Sequence, residues 1–157
     1  MNPLAALVRR SGRASWFPPI AKRLVPLDEA VQRRTSARFG LLSLAGVDGL
    51  LLTATGRRSG AQRTVALLYV QGPDGYVVAG SNYGGAAHPA WSANLLAEPA
   101  AQVTVGGRTV PVHARLAEAE ERDRLWPLLT ERWPAYDTYA DRAGRDIRVF
   151  TLVPTGS

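Results

Sequence analysis

Residues 49–70 read GLLLTATGRRSGAQRTVALLYV. Two runs rich in Leu, Val and Thr flank a polar loop, and such runs are typical of β-strands. Arg57, Arg58 and Arg63 fall within seven residues of this loop, together with the hydroxyl of Ser59 and the unhindered backbone of Gly60. Three arginines are more than a solvated turn requires. The stretch therefore predicts two strands and a loop that binds an anion.

Strand signals recur along the chain and are joined by turn signals. GPDG at 72–75 and GG at 106–107 favour tight turns between neighbouring strands, so hairpins are the main connections. Hairpin connections do not fit a βαβαβ sheet, and they predict an antiparallel core of about six strands. The predicted strands cover residues 49–55, 63–71, 75–81, 100–106, 108–116 and 147–153.

Helices interrupt the strands. HPAWSANLLAEP at 88–99 places a proline near a helix start and another at its end, and residues 118–145 predict one or two helices divided at Pro127 or Pro134. A further helix is predicted over Leu27–Arg38. The expected fold class is mainly β with inserted helices (α+β), a barrel of short strands. We expect an N-terminal basic arm and helix over residues 1–38 and the barrel domain over residues 39–157.

Composition excludes several kinds of chemistry. At 157 residues and 46% hydrophobic, the chain can bury a core without disulfides or a structural metal. It has no cysteine, which excludes thiolate chemistry, iron–sulfur clusters and cysteine-ligated zinc. Only His88 and His113 remain as nitrogen ligands, so we predict no metal site. The sequence also lacks a Gly-x-Ser-x-Gly elbow, a Walker loop and a Rossmann glycine motif in a parallel unit.

Charge is unevenly distributed. Residues 1–63 hold 11 of the 19 basic residues and only three of the 13 acidic ones. A basic segment of this kind could bind nucleic acid, an anionic membrane or a phosphorylated ligand. Nucleic acid is not expected as a partner, because strands with aromatic and basic residues interleaved are missing. The acidic group Glu118, Glu120, Glu121 and Asp123 is interpreted as the solvated first turn of a helix.

The N-terminal arm has two interpretations. Residues 1–25 contain no acid, and they combine the aromatics Trp16 and Phe17 with the basic residues Arg9, Arg10, Arg13, Lys22 and Arg23. No apolar run is long enough for a transmembrane helix or a signal peptide, so we expect a cytoplasmic protein that touches the inner membrane surface through this arm. The alternative is a helix packed on its own core and broken at Pro18 and Pro19.

A second glycine-rich segment follows a predicted strand. Residues 79–91 read AGSNYGGAAHPAW and lead into a helix. Glycines let a backbone approach a flat ligand, and helix-start amides bind acceptor atoms or phosphate. A glycine-rich turn followed by a helix with a buried Trp91 explains this segment equally well.

Together the segments LLLTATGRRSGAQRTVALLYV, SNYGGAAHPAWSANLLAEP, VTVGGRTVPVHARL and LWPLLTERWPAYDTYADRAGRDIRVFTLVP resemble, in order and spacing, the deazaflavin-dependent nitroreductase family, which includes F420H2-dependent quinone reductases. The resemblance covers roughly residues 39–155. It implies a split β-barrel related to FMN-binding oxidoreductases and coenzyme F420 as cofactor. It also implies a reductase that passes a hydride from reduced deazaflavin to a quinone or nitroaromatic compound.

The resemblance also assigns residues by position. Arg57, Arg58 and Ser59 match the family's Gly-Arg-Lys-Ser-Gly turn, with arginine in place of lysine, and would bind the phosphodiester and polyglutamate tail. Tyr136 and Tyr139 match tyrosines over the substrate pocket, and with Ser81 they are the implied catalytic residues. The implied coenzyme-binding residues are Arg57, Arg58, Ser59, Arg63, Thr64, Val65, Ala66, Leu67, Leu68, Ala79, Gly80, Ser81, Asn82, Ala90, Trp91, Ser92, Ala93, Asn94 and Tyr136.

Alternatives to this function stay open at the level of sequence. A non-catalytic F420 carrier would share every motif, and FMN or haem in the same barrel is the closest chemical rival. Related barrels often dimerise, so a homodimer is an expectation as well.

Overall fold

Seven strands and three helices lie within residues 49–156, which are the residues that the computed structural model describes. The strands are β1 (Gly49–Thr55), β2 (Gln62–Leu68), β3 (Val70–Gln71), β4 (Tyr76–Ala79), β5 (Ala100–Val105), β6 (Arg108–Leu116) and β7 (Val149–Pro154). The helices are α1 (Ala90–Ala97), α2 (Ala119–Arg132) and α3 (Ala135–Ala143). The predicted arm, the predicted helix over Leu27–Arg38 and the predicted domain boundary at residue 38 lie outside the described residues.

The strands form one antiparallel sheet that curls on itself. Their order is β2-β1-β5-β6-β7-β4-β3. The first and last strands of this order are consecutive in the chain and are separated only by Tyr69. Residues 62–71 thus act as one bent strand that pairs with β1 by its first part and with β4 by its last. Counted in this way the sheet has six strands, which confirms the predicted barrel.

Two predicted turns are present. In GPDG the Gly72 N–H donates to the Gly75 carbonyl at 2.9 Å, which brings β3 and β4 together. Gly106 and Gly107 have φ of 58° and 80°, and they join β5 to β6 between the paired residues Val105 and Arg108. A two-residue hairpin with a type I′ turn requires positive φ at both central positions, and glycine adopts it without strain.

The sheet separates two apolar cores. The barrel core lies inside the curl and includes Leu50, Leu52, Val78, Phe150 and Leu152. The helix core lies between the outer face of β4 and β7 and the helices α2 and α3, and includes Val77, Val149, Leu125, Leu129 and Tyr139. Because side chains alternate across a strand, β4 and β7 contribute to both cores. This burial on both faces explains their nearly continuous apolar sequence.

The helical region divides at Pro134, one of the two predicted positions. Pro134 caps α3, whereas Pro127 lies inside α2. The predicted strand over 75–81 is too long, because β4 ends at Ala79. Asn82 and Gly84 then take φ of 46° and 81°, which turns the chain away from the sheet. Among the described helices, none has the length and apolar character needed to cross a membrane.

Candidate functional site

The loop between β1 and β2, residues 56–61, is called the arginine loop here. Its ends are joined by a hydrogen bond from the Gly56 N–H to the Ala61 carbonyl at 2.7 Å, and a second bond runs from the Gly60 N–H to the Gly56 carbonyl at 2.8 Å. Gly60 has φ of 72°, so this position favours glycine. The Ser59 hydroxyl accepts from the Ala61 N–H at 3.2 Å. The loop is therefore a small closed turn that presents exposed arginines.

Helix α1 stands beside this loop. Pro89, with φ of −64°, precedes its first residue, where a missing N–H costs nothing. Trp91 and Leu95 anchor the helix in the barrel core, and the Trp91 ring lies 5.8 Å from that of Phe150, centroid to centroid. Apolar anchoring on one side leaves Ala90 and Asn94 to face the arginine loop.

A side-chain bridge joins the two walls. The Asn94 side-chain oxygen accepts from the backbone N–H of Arg57 at 3.1 Å and from its Nη1 at 3.1 Å. Asn94 is only 6% exposed. A buried amide held in this way fixes the distance between α1 and the loop.

Between these walls lies a cleft of about 650 Å³, which we call the arginine cleft. Its lining carries three arginines and, within residues 49–156, no carboxylate. Arg57, Arg58 and Arg63 are all exposed. Such a cleft attracts anions and has the volume of a small-molecule site. The lining residues are Gly56, Arg57, Arg58, Ser59, Gln62, Arg63, Thr64, Val65, Ala90, Trp91 and Asn94.

Nine of the residues proposed from sequence come together in this cleft, and two lining residues were missed. Gln62 pairs with Thr55 at the end of the β1–β2 ladder, and its Nε2 donates to the Thr55 hydroxyl at 3.1 Å. Gly56 begins the loop, where an added Cβ would lie 3.0 Å from the Ser59 hydroxyl. Both residues lie where the loop joins a strand, and this position in the sequence could have identified them.

Other proposed residues on β2 and α1 lie away from the cleft lining. Leu67 packs against the barrel core and Leu68 against the helix core, while Ala66 precedes both of them on β2. On α1, Ser92 is fully buried and its hydroxyl donates to the Pro89 carbonyl at 2.9 Å. Ala93 is half-buried on the same helix. Leu67 and Leu68 make packing contacts, and the Ser92 hydroxyl is held inside the scaffold, because it also accepts from Arg148 Nη1 at 3.2 Å.

The segment after β4 forms a separate loop, residues 80–88. Ser81 precedes a short 3₁₀ turn, Asn82–Gly84, and is itself buried. Asn82 donates from Nδ2 to the Ala87 carbonyl at 3.2 Å. Ala79, Gly80, Ser81 and Asn82 are thus grouped with one another and lead to α1, but they do not line the arginine cleft.

Tyr136 and Tyr139 lie on α3 in the helix core. They are 5% and 1% exposed, and their ring centroids are 6.3 Å apart at an interplanar angle of 82°. Burial raises the pKa of the Tyr139 hydroxyl, and a hydrogen bond with Trp133 acts in the opposite direction. The structure thus brings the two tyrosines together but does not place them on the arginine cleft.

Other titratable groups outside the cleft are engaged in the scaffold. Glu121 pairs with Arg115 at 3.1 Å, which fits the solvated helix start predicted for this acidic group. The pKa of His88 is lowered by burial and by the nearby cations Arg148 and Arg145. In the described part of the chain, His, Asp and Glu nowhere gather in a group of three that could hold a metal ion.

Comparison with known proteins now identifies the family. A sequence model of the F420H(2)-dependent quinone reductase family matches residues 25–154. The chain belongs to this family. An F420H(2)-dependent quinone reductase of Mycobacterium tuberculosis is 31% identical over 136 residues, which cover 85% of this chain and 91% of that protein. The solved structure of an F420-H2 dependent reductase is 36% identical, with a TM-score of 0.62 over 66% of this chain and 92% of that one.

Membership of the F420H(2)-dependent quinone reductase family confirms the predicted fold, the predicted reductase activity and F420 as the cofactor. A second solved structure, described as a domain-swapped dimer, is also 36% identical with a TM-score of 0.62, over 66% of this chain and 78% of that one.

Proposed function

We propose that the arginine cleft binds the anionic tail of F420 and that the chain reduces a quinone with F420H2. The observation that carries this proposal is the cleft itself, with three arginines, no lining carboxylate in the described residues, and a bridge from Asn94 that fixes its two walls. When bound, reduced F420 supplies the hydride that reduces the acceptor.

The residues of the cleft fit the chemistry of such a tail. Phosphodiester and carboxylate oxygens accept charge-assisted hydrogen bonds, and guanidinium groups offer them in a planar fork. Arg58 and Arg63 are exposed and line the cleft, and no hydrogen bond or ion pair joins their side chains to another residue of the described range. Arg57 is bonded to Asn94, and it therefore orients the loop as well as adding charge.

The apolar part of the cleft lining can accommodate a flat, partly apolar group. Val65, Ala90 and the largely buried Trp91 line the cleft beside the arginines. Apolar side chains at this position exclude water from a bound ring, while Thr64 offers a hydroxyl that already shares a hydrogen bond of 2.9 Å with Thr53. We place the deazaflavin end of the coenzyme on this side and its tail on Arg58 and Arg63.

Four groups of assigned residues stay proposals that rest on the resemblance: Ala66–Leu68, Ala79–Asn82, Ser92 with Ala93, and the two tyrosines. Ser81 and the tyrosines are the proposed catalytic residues. Burial keeps the Tyr139 phenol protonated at neutral pH, because it raises the pKa. Tyr139 is almost inaccessible, however, which supports solvent as the proton source for the reduced acceptor.

The proposals on partners and location depend in part on residues outside the described range. We propose a homodimer, supported by the domain-swapped dimer among its structural relatives. We also propose peripheral contact of residues 1–25 with the inner face of an anionic membrane, which would bring a cytoplasmic enzyme to a membrane-borne quinone. We also propose a boundary between the arm, residues 1–38, and the barrel domain, residues 39–157. Like the membrane contact, this boundary is inferred from the sequence.

The test of the function is a pair of titrations followed by turnover. Purified protein is titrated with F420 and with FMN, and then F420H2 oxidation by a soluble quinone such as menadione is followed through the recovery of F420 absorbance. We expect tight binding of F420, weaker binding of FMN and turnover with the quinone. Tight F420 binding without turnover by quinone or nitroaromatic acceptors would indicate a carrier, and preference for FMN would overturn the tail assignment.

A further inference from the structure

The guanidinium of Arg145, just after α3, reaches across to the loop of residues 80–88. Nε donates to the Gly85 carbonyl at 3.2 Å, Nη2 donates to the Ala87 carbonyl at 3.0 Å, and Nη1 lies 3.1 Å from His88 Nδ1. Nη1 and Nη2 also lie 3.4 Å from the Gly80 carbonyl, and Nη2 lies 3.3 Å from that of Ser81. One side chain therefore holds both ends of this loop.

Within residues 49–156, a small number of further hydrogen bonds maintain the conformation of this loop. Inside it, the Gly84 and Gly85 N–H groups donate to the Ser81 and Asn82 carbonyls, each at 2.9 Å. Asn82 is a non-glycine residue with φ of 46°. This backbone conformation costs free energy and persists only where the surrounding structure holds it. Because the carbonyls at both ends converge on Arg145, that guanidinium holds the loop closed together with the bond from Asn82 Nδ2 to the Ala87 carbonyl.

This loop leads directly to the arginine cleft. His88 is followed by Pro89, the cap of α1, and Ala90, Trp91 and Asn94 of α1 form one wall of the cleft. A second tie comes from Arg148, whose Nη1 donates to the Ser92 hydroxyl at 3.2 Å. The position of the first turn of α1 thus depends on the conformation of residues 80–88.

We propose that Arg145 is a positioning residue for the coenzyme site: by clamping residues 80–88 it sets α1 at the distance from the arginine loop that F420 binding requires. This inference rests on the proposed function. Within the described residues Arg145 pairs with no carboxylate, so its bonds go to neutral acceptors spread over the loop. A lysine has a compact ammonium and cannot reach acceptors at both ends of the loop.

Three variants test the clamp. Arg145→Met keeps an apolar stem of similar length and removes all donors, whereas Arg145→Lys keeps the charge and loses the planar fork. Arg124→Met is the matched control, because Arg124 is an exposed arginine of α2 outside the cleft and the loop. Each protein is compared with wild type by amide hydrogen exchange without ligand, by the Kd for F420, and by KM for F420H2 and for menadione.

We expect faster exchange over residues 80–88 in both Arg145 variants, with β5 and β6 unchanged. The Kd for F420 and the KM for F420H2 should rise about tenfold or more, because small displacements of a positioned wall have large effects, while KM for menadione stays near wild type. Arg145→Lys should resemble Arg145→Met, and Arg124→Met should resemble wild type.

Other outcomes separate this inference from the proposed function. Wild-type Kd in either Arg145 variant, or wild-type behaviour of Arg145→Lys beside a defective Arg145→Met, would overturn the clamp as a positioning device. Unchanged exchange over 80–88 would do the same without reference to F420. If Arg145→Met does not fold, Arg145→Lys alone decides. A wild-type protein that does not bind F420 would overturn the proposed function, whatever the exchange result.

Discussion

The side-chain oxygen of Asn94 accepts two hydrogen bonds from Arg57, one from its backbone N–H and one from Nη1, each 3.1 Å long. This relationship ties the arginine loop to α1. It also divides the three arginines by role, because Arg57 is held by a neutral amide while Arg58 and Arg63 are exposed and have no partner in residues 49–156. Stability and anion binding can therefore be tested separately at Asn94.

Asn94→Asp should keep the bridge and weaken coenzyme binding. A carboxylate accepts the same two bonds from Arg57 with charge assistance, so Tm should equal or exceed that of wild type. The added negative charge lies in the cleft, so the Kd for F420 should rise about tenfold. Asn94→Ala instead loses the bridge, and we expect its free energy of unfolding to fall by about 1–3 kcal/mol. An Asp variant that binds F420 as wild type does would contradict an anion site.

Arg58→Glu should weaken F420 binding. The affinity of wild type for F420 should fall as salt concentration rises, and the affinity of this variant should fall less steeply. The control is Arg108→Glu, which makes the same charge change at the opposite end of the sheet. The pairing of β1 with β5 places the hairpin before Arg108 level with Gly49, six residues from Thr55 and about 20 Å from the arginine loop. Equal effects at both positions would show that net charge, and not the cleft, governs binding.

The tyrosines give a third prediction. Tyr136→Phe should lower turnover more than F420 affinity if its hydroxyl acts near the acceptor. Tyr139→Phe should mainly lower Tm, because its buried hydroxyl has its hydrogen bond with Trp133 inside the helix core. Steady-state kinetics and thermal unfolding of both variants separate these roles. If Tyr136→Phe lowers only Tm, both tyrosines are packing residues.

His88 predicts a pH dependence of stability. Its pKa is lowered in the folded protein, so the unfolded chain binds a proton near the ordinary value of 6.5 while the folded protein resists it. The stabilising contribution is therefore complete above that pH and is lost as pH falls towards the folded pKa. Protonation would also leave Nδ1 unable to accept from Arg145.

Unfolding of wild type and His88→Gln, measured from about pH 7.5 to about pH 5.5, checks this sign. The glutamine offers an acceptor oxygen but does not titrate in this range. We expect wild type to lose stability relative to His88→Gln as the solution becomes more acidic. Parallel curves for the two proteins would rule out His88 as the titrating group.

The fifth prediction concerns residues 1–25, which lie outside the described residues. Five basic residues without an acid should each contribute about 1 kcal/mol near an anionic bilayer. A variant without residues 1–25 should bind F420 and lose co-sedimentation with phosphatidylserine vesicles. Absence of vesicle binding by the full-length protein at low salt would remove the membrane proposal, and unfolding of the truncated variant would place the arm in a core.

Much of the fold could be predicted because local signals agree with it. Strand runs in β1 and β6, the glycines at 106 and 107 and the proline before α1 each act over a few residues. Closure of the barrel through Tyr69 could not be predicted in this way. Pairing of residues 62–71 with both β1 and β4 depends on contacts between distant segments, and a single strand signal does not reveal two partners.

The site was predictable to a similar degree. Clustered charge pointed to the arginine loop, and the family resemblance added Asn94 and Trp91 on the opposite wall. Arg145 was overlooked because the carbonyl groups to which it donates lie 58 to 65 residues away, and every sequence contains carbonyl groups. Tyr136 and Tyr139 were correctly paired on one helix, but helical spacing does not tell whether the shared face meets a ligand or another helix.

The strand of residues 62–71 also determines where the chain can change length. Val65, Leu67 and Tyr69 pack towards the barrel core, while Leu68 and Val70 pack towards the helix core. Inserting one residue at Tyr69 would exchange these directions for everything after it, and Val70 would point into the wrong core. The hairpin at Gly106 has open space around it, with no heavy atom within 4 Å of an added Cβ. Length variation should therefore accumulate at residues 106–107 and be excluded at residue 69.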